Sequence, residues 1–154
     1  MAAVVKNRKA FHNFEVLEKV ESGLALTGTE VKSLRQGKVS ISESYARIKG
    51  GELFLINSHI AKYEPAHNAN HEPERPRKLL LHKRQLEKIE GKLTEKGLTL
   101  IPLSIYFNER GIAKLELGLC RGKRLYDKRE TIRRREVERD IARQMSKYGR
   151  KGRR

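Results

Sequence analysis

The chain lacks the residues that cross-link or anchor many small proteins. Its 154 residues include one cysteine, Cys120, and no tryptophan. A single cysteine excludes an intramolecular disulfide framework and is typical of proteins from a reducing cytosol. No apolar run approaches the roughly eighteen residues of a transmembrane helix, and the N-terminal stretch lacks the apolar core of a signal peptide. We therefore expect a cytoplasmic protein without a membrane partner.

Acidic residues are scarce at the C-terminal end. Residues 121–154 hold fifteen Lys or Arg against five Asp or Glu, which is +10 of the net charge of +16. So dense a charge block repels itself and has few apolar side chains, which predicts a tail disordered in isolation. Its expected partner is nucleic acid, because neutralised phosphates release condensed counterions. Residues 1–120 suffice for one domain with its own core, beginning with a small basic arm at 1–12.

Short β-rich runs separated by turn residues dominate the first 120 positions. Six strands are predicted: 14–20, 24–27, 44–49, 52–60, 98–107 and 112–119. Gly50–Gly51 predicts a tight hairpin, and Pro102 predicts a sheet edge or a bulge. Many short strands with antiparallel-compatible connections favour a mainly β, OB-like six-stranded antiparallel barrel with two or three short helices.

Two of these helices can be placed by their boundaries. The first is short, with Thr29 as its expected N-cap and Gly37 as its stop. The second covers 85–96, is expected to be interrupted at Gly91, and ends at Gly97.

The sequence offers little for catalysis. His67 and His71 have an HxxxH spacing, but they lie in a predicted surface loop at 63–76, so we interpret them as solvated histidines rather than metal ligands. Cys120 has no nucleophile signature, and phosphate-loop, dinucleotide and serine-elbow motifs are missing. We predict a protein that is not an enzyme and needs no metal or cofactor.

Basic residues recur outside the tail, together with aromatic side chains. Lys32 and Arg35 lie three apart on the short helix and share a face, with Lys38 just beyond it. A second cluster consists of Arg75, Arg77, Lys78, Lys83 and Arg84. Aromatic planes on which an unpaired base could stack are offered by Tyr45, Tyr63, Tyr106 and Phe107. The alternative is that these rings pack in the barrel, which we prefer for Phe107. Either cluster alone is also typical of a solvated surface, whereas their recurrence favours a continuous basic face.

The tail itself has a helical pattern. Asp127 and Glu130 have the spacing of a capping box, which predicts a helix start at Asp127. Val137, Ile141 and Met145 recur every four residues, beside a stripe of Arg135, Arg139 and Arg143. Such a helix has too narrow an apolar seam to stand alone, so we expect it to form against RNA; the alternative is a featureless basic tail.

Three stretches, in order along the chain, resemble one family, the small protein B (SmpB) partners of transfer-messenger RNA (tmRNA). They are GLALTGTEVKSLRQGKV at 23–39, RKLLLHKRQLEKIEGKLTEKGLTLIPLSIYF at 77–107 and GLCRGKRLYDKRE at 118–130. NRKAFHNFEVLE and INSHIAKYE agree as well, so the resemblance covers residues 7–130. It implies an OB-type barrel and a role in bacterial ribosome rescue.

The resemblance also implies the partners. Such proteins bind the tRNA-like domain of tmRNA, promote its alanylation and, with elongation factor Tu, deliver it to stalled ribosomes. Contacts with elongation factor Tu and alanyl-tRNA synthetase would be indirect, through tmRNA. The tail would contact the small subunit and its rRNA, entering the empty mRNA channel and becoming helical there.

Site residues follow from these assignments. Glu30 matches the family motif on the RNA-facing side, although a carboxylate at a helix start is also favoured by the helix dipole. The expected tmRNA-binding set is Glu30, Lys32, Arg35, Lys38, Tyr63, Arg77, Lys78, Lys83 and Arg84. The expected decoding-centre and mRNA-channel set is Lys123, Arg124, Tyr126, Asp127, Lys128, Arg129, Arg135, Arg139 and Arg143. Within it the resemblance implies that Tyr126 stacks on an rRNA base, that Lys128 and Arg129 contact phosphates, and that Asp127 caps the helix.

Two rival functions remain open. A generic basic RNA- or DNA-binding protein, including a ribosomal one, would share the charge and the barrel but show no preference for a tRNA-like fold. An RNA-processing enzyme with an unrecognised site would turn RNA over and depend on one acidic or histidine side chain.

Overall fold

A computed structural model of the chain describes residues 3–122 and 135–143. The chain divides into two units, Met1–Gly122 and Lys123–Arg154. The elements of the first unit, in chain order, are β1 Ala3–Lys6, α1 Arg8–Asn13, β2 Phe14–Leu24, α2 Gly28–Arg35, β3 Val39–Ser40, β4 Tyr45–Lys49, β5 Glu52–Ile56, β6 His59–Ile60, a 3-10 segment Glu64–Ala69, β7 Arg77–Leu80, α3 Lys83–Lys96, β8 Thr99–Phe107 and β9 Ala113–Gly122.

Six of these strands close into an antiparallel barrel. Around the ring the order is β8-β4-β5-β7-β2-β9, and β9 pairs again with β8. Strand β1 adds to β8 outside the ring, while β3 and β6 form a separate two-stranded sheet. The predicted mainly β, six-stranded barrel with short helices is confirmed. Because the ring is closed, its strands expose no long unpaired edge.

The membership of the ring differs from the prediction. The expected hairpin between 14–20 and 24–27 does not form, because β2 runs unbroken through Ser22 and Gly23. Gly23 pairs with Lys114 of β9 on one side and Leu80 of β7 on the other. A Cβ on Gly23 would lie 3.1 Å from that of Leu80, so the glycine permits a close strand contact rather than a turn. The sixth strand is instead β7, which the sequence analysis missed.

The features predicted from glycine and proline agree with the structure more closely than the predicted strand ends do. Gly50 and Gly51 both adopt positive φ, at 60° and 75°, and join β4 to β5 as predicted. The register of β8 against β9 shifts between Pro102 and Ser104, which confirms the bulge. Helix α3 ends at Gly97 in the left-handed region.

Other expected boundaries were wrong. Helix α3 is continuous through Gly91, because Ile89 is buried in the barrel core and packing on both sides of the glycine outweighs its low helix propensity. Helix α2 begins at Gly28 with Thr27, not Thr29, as its N-cap. The run 52–60 is two strands, with Asn57 at a φ of 62° between them.

Residues 3–12 of the expected basic arm are part of the folded unit. Asn7 is buried and caps α1 by accepting a hydrogen bond from Ala10 N at 3.1 Å. Its amide Nδ2 donates to the carbonyls of Ile41 at 3.1 Å and Pro102 at 2.8 Å. These bonds tie the N-terminal segment to β8, where α1 covers a second apolar cluster that includes Cys120.

The second unit contains a helix over residues 135–143, all of them exposed. Val137 and Ile141 are 57% and 53% exposed, so the apolar seam of this helix is open to a partner. The predicted helix start at Asp127 and the position of Met145 lie outside the described residues. Within the described ranges, no helix is long and apolar enough to cross a membrane.

Candidate nucleic-acid interface

The cationic helix α2 is anchored at its first turn by a buried acid. Glu30 is completely buried, and its Oε1 accepts a hydrogen bond from Thr27 N at 2.9 Å, half of a capping box. Oε1 also accepts from Arg75 Nη2, and Oε2 accepts from Arg77 Nε at 2.5 Å. One carboxylate therefore joins the start of α2 to the segment that leads into β7.

Arg77 extends this network further. It too is completely buried, and its Nη1 donates to both the carbonyl and the hydroxyl of Ser58 at 3.0 Å. Its Nη2 donates to the carbonyls of Pro73 at 2.9 Å and Glu72 at 3.3 Å. Arg77 thus ties the second half of the loop between β6 and β7 to Ser58, the residue that precedes β6.

Burial and pairing act in opposite directions on Glu30. Desolvation would raise the pKa of the Glu30 carboxyl, but hydrogen bonds from Arg75, from Thr27 N and from Arg77 outweigh it, so the pKa lies below its ordinary value. Burial lowers the pKa of Arg77, partly offset by Glu30. The pair is therefore charged at neutral pH, and electrostatic attraction keeps the two side chains in contact.

His71 makes a second link between α2 and the loop. Its Nε2 lies 2.9 Å from the carbonyl oxygen of Ile60, which can only accept, so Nε2 carries the proton. Its Nδ1 lies 2.8 Å from the hydroxyl of Thr29 on α2. The interpretation of His71 as a solvated histidine was wrong: its side chain is buried because both ring nitrogens have protein partners.

The exposed part of this assembly combines cations with an aromatic ring. Lys32 Nζ lies 5.2 Å from the centre of the Tyr63 ring. The side chain of Asn70 fixes the backbone of Tyr63: Oδ1 accepts a hydrogen bond from Tyr63 N at 2.8 Å, and Nδ2 donates to the Tyr63 carbonyl at 2.8 Å. Arg35 stacks 4.4 Å from the centre of the Phe107 ring. We call the exposed residues Lys32, Arg35 and Lys38, together with the half-buried Tyr63, the helix–loop surface.

The predicted tmRNA-binding residues fall into three groups. Lys32, Arg35, Lys38 and Tyr63 are accessible on the helix–loop surface. Lys78, Lys83 and Arg84 are exposed elsewhere, Lys78 in an ion pair with Glu52 at 3.2 Å and the other two at the start of α3, beyond the far end of β7. Glu30 and Arg77 are buried against each other. Both side chains are completely buried, and their polar atoms are hydrogen-bonded within the protein; their expected contact with RNA stays a prediction.

Only part of the predicted decoding-centre and mRNA-channel set lies within the described residues. Arg135, Arg139 and Arg143 lie on the exposed helix 135–143, where Arg143 approaches Asp140 at 3.8 Å. Lys123, Arg124, Tyr126, Asp127, Lys128 and Arg129 lie outside the described residues.

Two observations concern metal and thiol chemistry. The described residues include no group of three His, Cys, Asp or Glu that could hold a metal ion. Cys120 is buried, and that burial raises the pKa of its thiol to about 11, so it is a poor nucleophile.

Sequence reasoning missed the structural roles of Arg75, His71 and Thr27. Arg75 and His71 pair with residues more than forty positions away, so no local period marks them. Thr27 could have been found, since Thr27 and Glu30 have capping-box spacing and the sequence analysis placed the cap at Thr29 instead.

A small closed antiparallel barrel that carries a cationic helix and an aromatic side chain on its surface defines a class of RNA-binding barrel protein. A family model described as "SmpB protein" matches residues 4–147. The chain belongs to the SmpB family.

Similar proteins match the sequence of this chain over most of its length. An SsrA-binding protein of Moorella thermoacetica is 57% identical over 91% of this chain and 90% of its own length. One of Methylobacterium nodulans is 56% identical over 95% of this chain and 93% of its own. A solved chain described under "tmRNA-SmpB: a journey to the center of the bacterial ribosome" is 56% identical, with a TM-score of 0.68, and the match covers 86% of this chain and 96% of that one.

Proposed function

We propose that this protein binds the tRNA-like domain of tmRNA and acts as an adaptor in ribosome rescue. The observation that carries the proposal is the match to the SmpB family over residues 4–147. SsrA-binding relatives and the similar chain from a tmRNA–SmpB ribosome structure support it. The protein works by binding and not by catalysis, needs no cofactor, and acts in the cytoplasm where ribosomes translate.

The division of labour follows the distribution of charge. The barrel, residues 1–120, provides specificity, with the helix–loop surface as its principal contact and Lys78, Lys83 and Arg84 as additional phosphate contacts. The tail, residues 121–154, enters the empty mRNA channel near the decoding centre. Arg135, Arg139 and Arg143 meet rRNA phosphates there from an exposed helical face, beside the motif from Lys123 to Arg129.

The remaining partners act through the RNA. By holding the tRNA-like domain in one conformation, the barrel supports its alanylation by alanyl-tRNA synthetase. Elongation factor Tu then carries the alanylated RNA, with this protein attached, to the small subunit of a stalled ribosome.

A binding experiment tests the specificity of the barrel. The full chain and a chain ending at Gly122 are titrated with the tRNA-like domain of tmRNA across a potassium chloride series, with an unrelated RNA hairpin as competitor. We expect both proteins to prefer the tRNA-like domain, and the shorter one to show a shallower salt dependence because it makes fewer phosphate contacts. Loss of all preference in the shorter chain would favour the generic basic RNA- or DNA-binding protein.

A rescue assay tests the tail. Deletion of residues 142–154 is expected to leave binding to the tRNA-like domain within about twofold, since the barrel is intact, while tagging on a message without a stop codon falls sharply. Equal loss in both assays would contradict the division of labour. Release of RNA fragments by the full chain would instead support the processing enzyme.

A further inference from the structure

A second candidate contact surface lies on the outer face of the β4–β5 hairpin. The register pairs Tyr45 with Ile56, Arg47 with Phe54, and Lys49 with Glu52. Side chains alternate across a strand, and the neighbouring residues Ala46, Leu53 and Leu55 are buried in the barrel core. The paired residues therefore share the face that points away from the core.

These side chains form a groove of about 330 Å³. Its apolar and aromatic lining, which we call the floor, consists of Tyr45, Phe54, Ile56 and Pro76, and the other two lining residues are the exposed cations Arg47 and Lys49. We call these six residues the outer groove. The outer groove and the helix–loop surface have no residue in common.

The cations of the outer groove have no partners among the residues that the structure describes. Across the described residues neither Arg47 nor Lys49 forms an ion pair or a hydrogen bond. The acid closest in register, Glu52, pairs with Lys78 at 3.2 Å. Two uncompensated positive charges therefore border an aromatic floor.

This combination suits one kind of ligand. An unpaired base can stack on an aromatic ring whatever its identity, and the adjoining phosphate neutralises a cation within reach. Arg47 lies directly opposite Phe54, close enough for one nucleotide to meet both the ring and the guanidinium. An apolar peptide would leave the two charges unused, and an acidic peptide would leave the aromatic floor unused.

We propose that the outer groove binds an unpaired nucleotide of RNA, with its base on Phe54 and its phosphate between Arg47 and Lys49. The groove gives the barrel a second RNA contact that is separate from the helix–loop surface. The proposal goes beyond the proposed function, from which it takes only the expectation that the partner is RNA.

The test uses the full chain and a fluorescein-labelled hexauridine oligonucleotide at about 0.3 M potassium chloride, where the contribution of the tail is weakened. Phe54→Leu is expected to lower the affinity about five- to tenfold, while Phe54→Tyr, which keeps a ring, stays within twofold. The double variant Arg47→Gln/Lys49→Gln should reduce the slope of log affinity against log salt concentration by about 0.7, since the two cations share one phosphate and each single-strand phosphate contact contributes about 0.7.

The matched control removes the same charge elsewhere. Lys88→Gln/Lys96→Gln alters two exposed lysines of α3 and should change the affinity less than twofold. Thermal melting of each variant establishes that the fold is kept. Amide NMR shifts on adding hexauridine are expected at Tyr45, Arg47 and Phe54.

Two results would overturn the proposal. One is equal hexauridine binding by Phe54→Leu, the double variant and the control. The other is a set of NMR shifts at the groove that appear with a hexaglutamate peptide and not with hexauridine, which would make the groove a protein-facing surface. Binding of the same variants to the tRNA-like domain, against the unrelated hairpin, is scored separately, so failure of the proposed function is distinguishable.

Discussion

The Nε atom of Arg77 donates to Oε2 of Glu30 at 2.5 Å, and both side chains are completely buried. The two residues lie 47 positions apart in sequence, at the start of β7 and in the first turn of α2. Their contact fixes the direction of α2 relative to the loop that carries Tyr63. The acid of the family motif therefore holds α2 against this loop from within the protein.

Replacing Glu30 with glutamine should be strongly destabilising. The amide removes the charge that compensates Arg77 in a buried site, and loss of one partner of a buried pair costs about 3–5 kcal/mol. Urea unfolding followed by circular dichroism gives the free energy of unfolding. The control Glu52→Gln breaks the exposed pair with Lys78 and should cost at most about 1 kcal/mol. A similar small loss for both variants would contradict the structural role of Glu30.

The stability of the wild-type protein should depend on Glu30 at acid pH. Its pKa is lowered from the usual 4.5 on folding, so the folded state favours the carboxylate. The corresponding stability is complete above pH 4.5 and is lost as the pH falls through the lower pKa of the folded state. The difference in unfolding free energy between wild type and Glu30→Gln should therefore shrink on acidification from about pH 6 to pH 3. A constant difference would mean that Glu30 does not titrate with folding.

Variants in and beneath the helix–loop surface should distinguish a residue that contacts RNA from one that only positions the surface. Lys32→Gln removes one exposed cation and should reduce the slope of log affinity against log salt concentration for tmRNA binding by about 0.9. Its free energy of unfolding should stay within about 0.5 kcal/mol of the wild-type value. Glu30→Gln should weaken the same binding and also lower stability, since it releases α2 from the loop. Lys88→Gln on α3 serves as the control for loss of one charge. Unchanged salt dependence in Lys32→Gln would remove Lys32 from the RNA contact.

The Cys120 thiol should be inert in the folded protein. Burial raises its pKa to about 11 from the usual 9.0, so the thiolate fraction at pH 8 is about 100-fold lower than in the unfolded chain. Alkylation by iodoacetamide, followed by mass spectrometry, should be at least about 100-fold slower in buffer than in concentrated urea. Equal rates would show that the cluster beneath α1 opens readily.

Local features explain which parts of the fold were predictable. Gly50–Gly51 demands positive φ at two successive residues, so the hairpin could be read directly from the pair. The stop at Gly97 rests on the same physics at a single residue. The β-rich runs of the sequence identified β8 and β9. The connections between the predicted strands, which suit antiparallel pairing, led to the prediction of a barrel. The strand β7, only four residues long between a proline-containing loop and α3, escaped prediction because its stability comes from its two neighbouring strands.

Charge and motif order, both properties of the linear chain, are enough to indicate an RNA-binding member of one family with a basic tail, because repulsion and counterion release depend on composition rather than on folding. The assignment of individual charges to contact or to support depends on barrel closure. Ring closure places Arg77 against Glu30 and leaves Lys32 beside Tyr63 in solvent. A buried charge needs a partner whatever its distance along the chain, and only the packed barrel decides which residues meet that need and which remain free for RNA.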